Sequence, residues 1–323
     1  MSADVPSTEA AGAAGATEAA GAASTFAARP FVIEPPGDVA TVTACALVAA
    51  EHWGLPTPTL LRLGMNGIFA AGNVMLRVSR PTAPGENAMR LAELLTDHGV
   101  RVPQYVRDDA FSVDGHVVFA IESIATVGAV DWVAVGEMIR RLHQFEPASI
   151  SAVFPTPWCG SFPWWEFAAT FDAVRPLLDA TSARALADSI ARNLPVLHAA
   201  RSDRLVVCHG DVHPGNVVQG VHGPVLLDWD LVCLGPAGWD HAPLMTWTSR
   251  WGGEPGLYES FAAGYGRSLR GDTTAAAIAE LRLVAATLMR LKAAQRNPAA
   301  LPEALRRLQW WRGESDAPMW QAQ

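Results

Sequence analysis

The chain has 323 residues, half of them apolar, and carries a net charge of −8. It contains no window of eighteen apolar residues without a charge, so we expect no membrane-spanning helix, and an acidic chain lacks the basic face that nucleic-acid binding requires. The four cysteines are widely spaced and form no Cys-x-x-Cys pair, a pattern typical of reduced thiols in a cytoplasmic protein.

Residues 1–29 are predicted to be a disordered tail. They consist mainly of alanine, glycine, threonine, serine and glutamate, with no aromatic residue before Phe26. Such a segment cannot bury enough apolar surface to become ordered. Basic residues are missing at its start and glutamates interrupt the Ala/Gly run, so a secretory signal is not indicated.

Residues 30–124 are predicted to form a small β-rich lobe, with one helix laid on an antiparallel sheet. Short apolar runs joined by glycine and asparagine at 64–67 and 72–73 indicate hairpins. Apolar residues at helical spacing between 84 and 98 predict the helix. This lobe is the candidate nucleotide-binding domain.

Residues 125–323 are predicted to form a larger, mainly helical lobe. An amphipathic helix is expected from Trp132 to Phe145. Further helical stretches and short buried strands follow, with the helices near 167–179, 183–199 and 241–312 and the strands at 205–208 and 225–227. The predicted fold class is therefore α+β, with two lobes that meet near residue 124.

One segment carries the residue types that phosphoryl transfer requires. It reads His209-Gly210-Asp211, with Asn216 five residues after the aspartate, and Asp228 follows at the end of an apolar strand. A kinase needs one carboxylate to orient the hydroxyl and accept its proton, and two oxygen ligands to hold Mg²⁺ against the phosphates. A loop of the form His-x-Asp-x₄-Asn supplies the base and one ligand. We therefore expect Asp211 to be the catalytic base, and Asn216 and Asp228 to bind magnesium.

Two further landmarks accompany this pattern, Asp228-Trp229-Asp230 and Trp239-Asp240. Together they resemble the aminoglycoside phosphotransferase and choline kinase group of small-molecule kinases, over a span from about residue 60 to residue 247. The resemblance implies a bilobal, protein-kinase-like fold, ATP or GTP as the phosphate donor with Mg²⁺, and a substrate hydroxyl presented to Asp211. It also implies that Asp240 ties the catalytic segment to the following helix.

The chain departs from the family where the donor phosphates would be gripped. The family has a lysine on the third strand of the small lobe, whereas this chain has Arg77 there, and Lys292 is its only lysine among 24 basic residues. Arginine keeps the charge and offers a fork of donors suited to phosphate. Ala88 replaces the glutamate expected on the next helix, with Glu86 and Glu93 as candidate substitutes. These departures leave open a nucleotide-binding protein without catalytic activity.

The resemblance places further residues at the nucleotide. Gly64, Asn66 and Gly67 would shape the loop over the phosphates, where backbone must approach the ligand closely, although an ordinary hairpin turn accounts for them nearly as well. Glu122 and Ile124 belong to the hinge that would meet the purine through backbone groups.

Four side chains around the motif are expected to support it: His209, His213, Asp230 and Asp240. His209 would fix the turn of the catalytic loop through backbone hydrogen bonds. His209, Asp211 and His213 also fit a metallohydrolase pattern, but Pro214 disfavours a helical conformation at His213, so the two histidines would not share a helix face. Asp230 is either an acid near the metal or a polar turn residue.

The acceptor is the part that the sequence specifies least. An antibiotic such as an aminoglycoside is the first choice, and a sugar, amino sugar or amino alcohol of metabolism is the alternative. An acid-rich acceptor cleft would favour a polycationic drug, whereas a cleft lined by tryptophan would favour a macrolide or another apolar acceptor. The protein is expected to act as a monomer or a homodimer.

Overall fold

A computed structural model describes residues 35–321, so the predicted tail at 1–29 lies outside the described residues. Within them, five strands form an antiparallel sheet in the order β1-β2-β3-β5-β4. The strands are β1 (Thr59–Leu63), β2 (Gly67–Ala71), β3 (Val74–Ser79), β4 (Phe111–Val113) and β5 (His116–Glu122). The turn between β1 and β2 and the turn between β2 and β3 fall at the glycine and asparagine positions that predicted hairpins.

Helix α1 (Val39–His52) covers one face of this sheet. It begins after Asp38, whose carboxylate accepts a hydrogen bond from the Thr41 N–H at 2.8 Å and so satisfies a free donor of the first turn. Its buried side chains form one core with those of the strands, including Val42, Ala46, Phe69, Leu76 and Val118.

Helix α2 (Gly85–Asp97) belongs to a different core. Its Leu91 packs in a cluster with Val135 and Ile139 of α3 (Trp132–Leu142). The expectation that the helix at 84–98 lies on the core of the sheet is therefore wrong. Helix α1 takes that place, and α2 packs against the helical part of the chain.

The chain beyond residue 124 is mainly helical. The remaining helices are α4 (Pro147–Ser151), α5 (Phe167–Val174), α6 (Ala180–Ala199), α7 (Gly238–Trp251), α8 (Leu257–Tyr265), α9 (Thr273–Arg296) and α10 (Leu301–Trp311). The long helix α9 packs against α5, α6, α7 and α10, and its buried side chains form the centre of a third core.

Two short antiparallel strand pairs position the predicted catalytic segment. Strand β6 (Val206–Cys208) pairs with β9 (Cys233–Gly235), and β7 (Val217–Gly220) forms a hairpin with β8 (Gly223–Leu226). The segment His209–Asn216 therefore leaves one pair and enters the other, and the chain returns to it after β8.

Helices α3 and α8 meet through their backbones at two glycines. A Cβ on Gly136 would lie 2.0 Å from the carbonyl oxygen of Phe261, and one on Gly264 would lie 1.8 Å from that of Val133. Because no larger residue fits at either position without moving a helix, the two glycines permit this close approach. This contact places His143, which follows α3, within hydrogen-bond distance of Tyr265 at the end of α8.

The α+β class, with a small antiparallel sheet and a larger helical part, is confirmed. The lobe boundary near residue 124 stays a prediction. Among the helices in residues 35–321, none is both long enough and apolar enough to cross a bilayer.

Candidate active site

Gly210 sets the backbone course of the predicted catalytic loop. Its φ is +97°, which side chains other than glycine rarely adopt, and a Cβ there would lie 2.0 Å from the carbonyl oxygen of Leu231. The glycine of His-Gly-Asp is thus required for two reasons, a left-handed conformation and a close approach of backbone to backbone.

Asp240 fixes the start of the same loop from beneath. Its fully buried carboxylate accepts hydrogen bonds from the N–H groups of His209 (2.8 Å) and Gly210 (2.9 Å), and it lies 3.1 Å from Nε2 of His143. Burial opposes charge on both members of this pair. The pKa of the His143 imidazole is nevertheless raised to about 9 through its hydrogen bond to Asp240, and the pKa of Asp240 is lowered in return.

This pair predicts a loss of stability at alkaline pH. Because the His143 pKa is raised from 6.5 to about 9 in the folded protein, its contribution is complete below about pH 6.5 and is lost as the pH rises through 9. The loss is on the order of 3 kcal/mol. Urea unfolding measured from pH 6 to 10 should show this decline, and the His143→Gln variant should show a flatter profile. Equal slopes for the two proteins would refute the assignment.

His209 is fully buried and has both ring nitrogens engaged. Nε2–H donates to the carbonyl oxygen of Leu227 at 2.9 Å, and Nδ1 accepts the N–H of Asp211 at 3.2 Å. Burial lowers its pKa, so the ring is neutral. With both nitrogens occupied, His209 cannot be a metal ligand, and the metallohydrolase alternative lacks its first donor.

Asp211 lies at the centre of a group of polar side chains. Its Oδ2 is 3.3 Å from Nε2 of His213 and accepts a hydrogen bond from the Asn216 amide at 3.3 Å, while its Oδ1 pairs with the guanidinium of Arg282. Burial raises the pKa of Asp211, but His213 and Arg282 outweigh it and hold the pKa well below its ordinary value. The carboxylate is therefore ionised at neutral pH.

Arg282 is a site residue that sequence reasoning missed. It lies on α9, and besides pairing with Asp211 it donates to the carbonyl oxygen of Gly210 at 3.1 Å. Its guanidinium also lies 5.6 Å from the ring centre of Trp239. In the sequence it is one arginine of a long Ala- and Leu-rich stretch, 71 residues after Asp211, with no motif around it.

Asn216 and Asp228 offer oxygen ligands of the kind that magnesium prefers. The Asn216 amide nitrogen donates to the backbone carbonyl of Asp211 (3.0 Å) as well as to its carboxylate, so its carbonyl oxygen is turned away from that aspartate. Asp228 has the left-handed φ of +60°, which is uncommon for aspartate and typical of functional sites. Burial and the neighbouring Asp230 raise its pKa to about 6. This donor set fits Mg²⁺.

Arg77 reaches these acids from the sheet. Its guanidinium pairs with Asp230 and lies 3.7 Å from Asp228, whereas Glu86 and Glu93 are exposed and are not among its ion-pair partners in the described part of the chain. The carboxylate partner of Arg77, which was expected on α2, is therefore Asp230. Burial opposes charge on Arg77, but the two aspartates outweigh it and raise its pKa, so it remains a cation.

A cavity of about 370 Å³, here named the Arg77 cavity, opens between the sheet and the catalytic segment. Its lining includes Arg77, Asn66, Glu122, Ile124, Asn216 and Asp228. With the Asn66 amide assigned in the orientation that satisfies both of its ends, its oxygen accepts from Arg77 at 3.0 Å and its nitrogen donates to Ser79 Oγ at 2.8 Å. Gly64 and Gly67 shape the turn before β2 without lining the cavity.

The predicted hinge lies at one end of the Arg77 cavity. The N–H of Glu122 donates to the carbonyl oxygen of Gln104 at 2.9 Å, and its side chain accepts the Gln104 N–H at 3.1 Å. The backbone N–H of Glu122 is therefore committed within the protein. The backbone of Ile124 is the better candidate to contact the purine ring of a nucleotide.

A second cavity, also of about 370 Å³ and here named the Asp211 cavity, lies on the other side of Asp211. One wall is a stack of rings: His213 lies on Trp247 (5.1 Å between centres) and Trp247 lies on Trp251 (5.4 Å). Among the described residues that line it, Asp211 is the only acid, and the basic residues are the three arginines Arg282, Arg290 and Arg307 together with His213.

The sequence matches one family model. Residues 70–281 match the model APH, described as the phosphotransferase enzyme family. No curated protein sequence matches the chain significantly.

Several solved structures share this architecture. Spectinomycin phosphotransferase APH(9)-Ia, in complex with ADP and spectinomycin, is 18% identical and aligns over 83% of this chain and 93% of its own, with a TM-score of 0.60. The GDP and kanamycin complex of APH(2")-IIia is 17% identical over 85% of this chain and 99% of its own, with a TM-score of 0.66. A choline/ethanolamine kinase family protein from Mesorhizobium loti is 20% identical over 86% and 94%, with a TM-score of 0.59. At such identities the likeness shows the common fold.

Proposed function

This chain belongs to the phosphotransferase enzyme family and is a small-molecule kinase, and from that premise we propose that it transfers the γ-phosphoryl group of ATP or GTP to a hydroxyl of a small acceptor. The donor would bind in the Arg77 cavity and the acceptor in the Asp211 cavity. Asp211 would be the catalytic base.

One observation supports this arrangement above the others. Asp211 lines one cavity and Asn216 lines the other, and the two side chains are hydrogen-bonded at 3.3 Å. A hydroxyl held at Asp211 and a phosphate held beside Asn216 would therefore meet across a single contact. Such proximity is what a phosphoryl transfer needs, because little other covalent chemistry is required of the protein.

In the proposed reaction the acceptor oxygen bonds to the γ-phosphorus as the bond to the bridging oxygen breaks, and the nucleoside diphosphate leaves. The hydroxyl proton passes to Oδ2 of Asp211. The low pKa of Asp211 makes it a weak base, which suits a loose transition state in which the proton moves late. Arg282 and His213 would keep the carboxylate ionised and aimed.

The donor side would be held by Arg77, Asn216 and Asp228. Magnesium, when bound by Asn216 and Asp228, would neutralise charge on the β- and γ-phosphates. Arg77 would donate to the phosphates from its place between Asp228 and Asp230. Because Asp230 replaces the missing glutamate as its partner, the geometry favours a catalytic protein over the inactive nucleotide-binding alternative.

The acceptor cavity argues against the expected aminoglycoside. A polycation would face three arginines and a single carboxylate, which is already paired with Arg282. Trp247 and Trp251 favour an acceptor with a flat or apolar surface. An antibiotic of that kind and a metabolic hydroxy compound both remain candidates, and the cytoplasmic location stays a prediction.

The experiment that tests this function is Mg²⁺-dependent consumption of ATP and GTP across acceptor classes. The panel should contain aminoglycosides, macrolides, sugars, amino sugars, amino alcohols and hydroxy acids. We expect stimulation by at least one class of low positive charge. Nucleotide binding without stimulation by any acceptor would instead support the non-catalytic alternative.

Arg77→Met is predicted to weaken ATP binding. A hydrogen bond to a charged group contributes about 1.5–3 kcal/mol, so the affinity for a non-hydrolysable ATP analogue should fall by about 10–100-fold. Calorimetric titration measures this, and adenosine, which lacks phosphates, should bind equally well to both proteins. Arg80→Met is the matched control, because Arg80 is exposed near the end of the same strand. An equal loss for adenosine would show that Arg77 maintains the cavity rather than gripping phosphate.

A further inference from the structure

We propose that the acceptor carries an acidic group, a carboxylate, sulfate or phosphate ester, and that Arg290 binds it at the far end of the Asp211 cavity. This inference rests on the proposed function, since it names the chemical class of the molecule that Asp211 would phosphorylate.

Arg290 lines the cavity with part of its guanidinium buried and unpaired. Its Nε and Nη2 atoms are shielded from solvent and have no hydrogen-bond partner within residues 35–321. A buried charged donor without a partner is costly, and folded proteins rarely leave one in that state without a functional reason. An anion held in the cavity would give this guanidinium the counter-charge that it lacks, because guanidinium pairs strongly with carboxylate and phosphate.

The neighbouring Arg307 does not offset the cost of burying the unpaired Arg290 guanidinium. Arg307 uses its own guanidinium on Glu303 (2.8 Å) and on the carbonyl oxygens of Ala286 and Gln321, and it stacks over Trp251. Burial lowers the pKa of Arg307, and the charge of Arg290 lowers it further, against the opposing effect of Glu303. The positive potentials of the two guanidinium groups therefore add in the cavity, and this potential favours a negatively charged ligand.

The position of Arg290 defines the length of the acceptor. Arg282, Ala286 and Arg290 follow one another at intervals of four residues, so they share a face of α9. Arg282 contacts Asp211, and Arg290 stands two turns further along, about 12 Å at 1.5 Å per residue. The ring stack that contains Trp247 and Trp251 forms the wall of the same cavity. The acceptor should thus present its hydroxyl at one end, a flat or apolar middle and its acid at the other end.

Equilibrium binding tests the inference without requiring turnover. The probes are three para-substituted benzyl alcohols that differ at one position: p-(hydroxymethyl)benzoate, its methyl ester, and p-(aminomethyl)benzyl alcohol. Each has a hydroxyl at one end of an aromatic ring, and the other end is anionic, neutral or cationic. Quenching of tryptophan fluorescence reports binding, since Trp247 and Trp251 line the cavity, and calorimetry provides an independent dissociation constant.

The wild-type protein should bind the benzoate at least about tenfold more tightly than the ester or the amine, a difference equivalent to one charge-assisted hydrogen bond. Arg290→Gln should abolish this preference, and Arg290→Lys should retain part of it. Arg296→Gln removes the same charge from an exposed position on the same helix and should leave the preference unchanged. Thermal unfolding of each variant shows whether its fold is intact.

Other outcomes would overturn the proposal. Equal binding of the three probes, or a preference for the amine, would contradict the anionic class of acceptor. So would no binding of the benzoate at about 10 mM, which corresponds to a binding free energy weaker than roughly 3 kcal/mol. A preference that survives in Arg290→Gln would contradict the role of Arg290. If Arg290 instead contacts the γ-phosphate, Arg290→Gln would weaken ATP binding and leave the probe preference intact. Failure of phosphoryl transfer together with Arg290-dependent binding of the benzoate would refute the proposed function alone. Transfer to neutral or cationic acceptors that is insensitive to Arg290→Gln would refute this inference alone.

Discussion

Replacing Asp211 by asparagine is expected to lower acceptor-dependent nucleotide turnover by about 10²–10⁴-fold, the range that a general base contributes. The asparagine amide has nearly the same shape as the carboxylate but cannot take the hydroxyl proton. Residues of the Arg77 cavity are unchanged in this variant, so the dissociation constant for ATP should stay close to the wild-type value. Steady-state kinetics with the best acceptor of the panel and calorimetry with a non-hydrolysable ATP analogue measure the two quantities.

Two controls accompany this variant. Asp203→Asn makes the same chemical change at an exposed position shortly before β6 and should leave turnover unaltered. Thermal unfolding checks the fold, because the change also leaves Arg282 without its anionic partner. A near-normal rate for Asp211→Asn in a folded protein would show that the base is misassigned.

Replacing Asp240 by alanine is expected to lower the free energy of unfolding by about 3–5 kcal/mol, as found when one member of a buried ion pair is removed. The change would remove the ion-pair partner of the buried His143 side chain and leave two backbone N–H groups, those of His209 and Gly210, without their acceptor. Urea unfolding at neutral pH measures the loss. Turnover should fall as well, because Asp240 positions the segment that ends in Asp211.

The matched variants separate charge from hydrogen bonding. Asp240→Asn keeps one acceptor oxygen and should cost less than Asp240→Ala. Asp188→Ala removes an exposed carboxylate from α6 and should change stability by no more than about 0.5 kcal/mol. An effect of Asp240→Ala as small as that of Asp188→Ala would mean that the loop is held by other contacts.

The sequence determined the class of fold and indicated which residues meet at the candidate site. The spacing of Asp211 and Asn216 is local, and a turn together with the hairpin of β7 and β8 is enough to bring Asp228 back to them. Periodicity located most helices and strands, because alternation and helical spacing reflect which face of each element is buried. The hinge and the Arg77 position followed from the family resemblance rather than from spacing.

Tertiary structure alone decided the partners of these residues. Arg282 reaches Asp211 across 71 positions, and Asp230 replaces the glutamate sought on α2 by pairing with Arg77 across 153 positions. Neither pairing has a local signature, because an arginine on an amphipathic helix and an acid in a turn are both ordinary surface residues in a sequence. The charge of the Asp211 cavity likewise depends on which face of α9 turns inward, and packing against α6, α7 and α10 sets that rotation. That rotation brings Arg290 into the cavity, where we propose that it selects the acceptor.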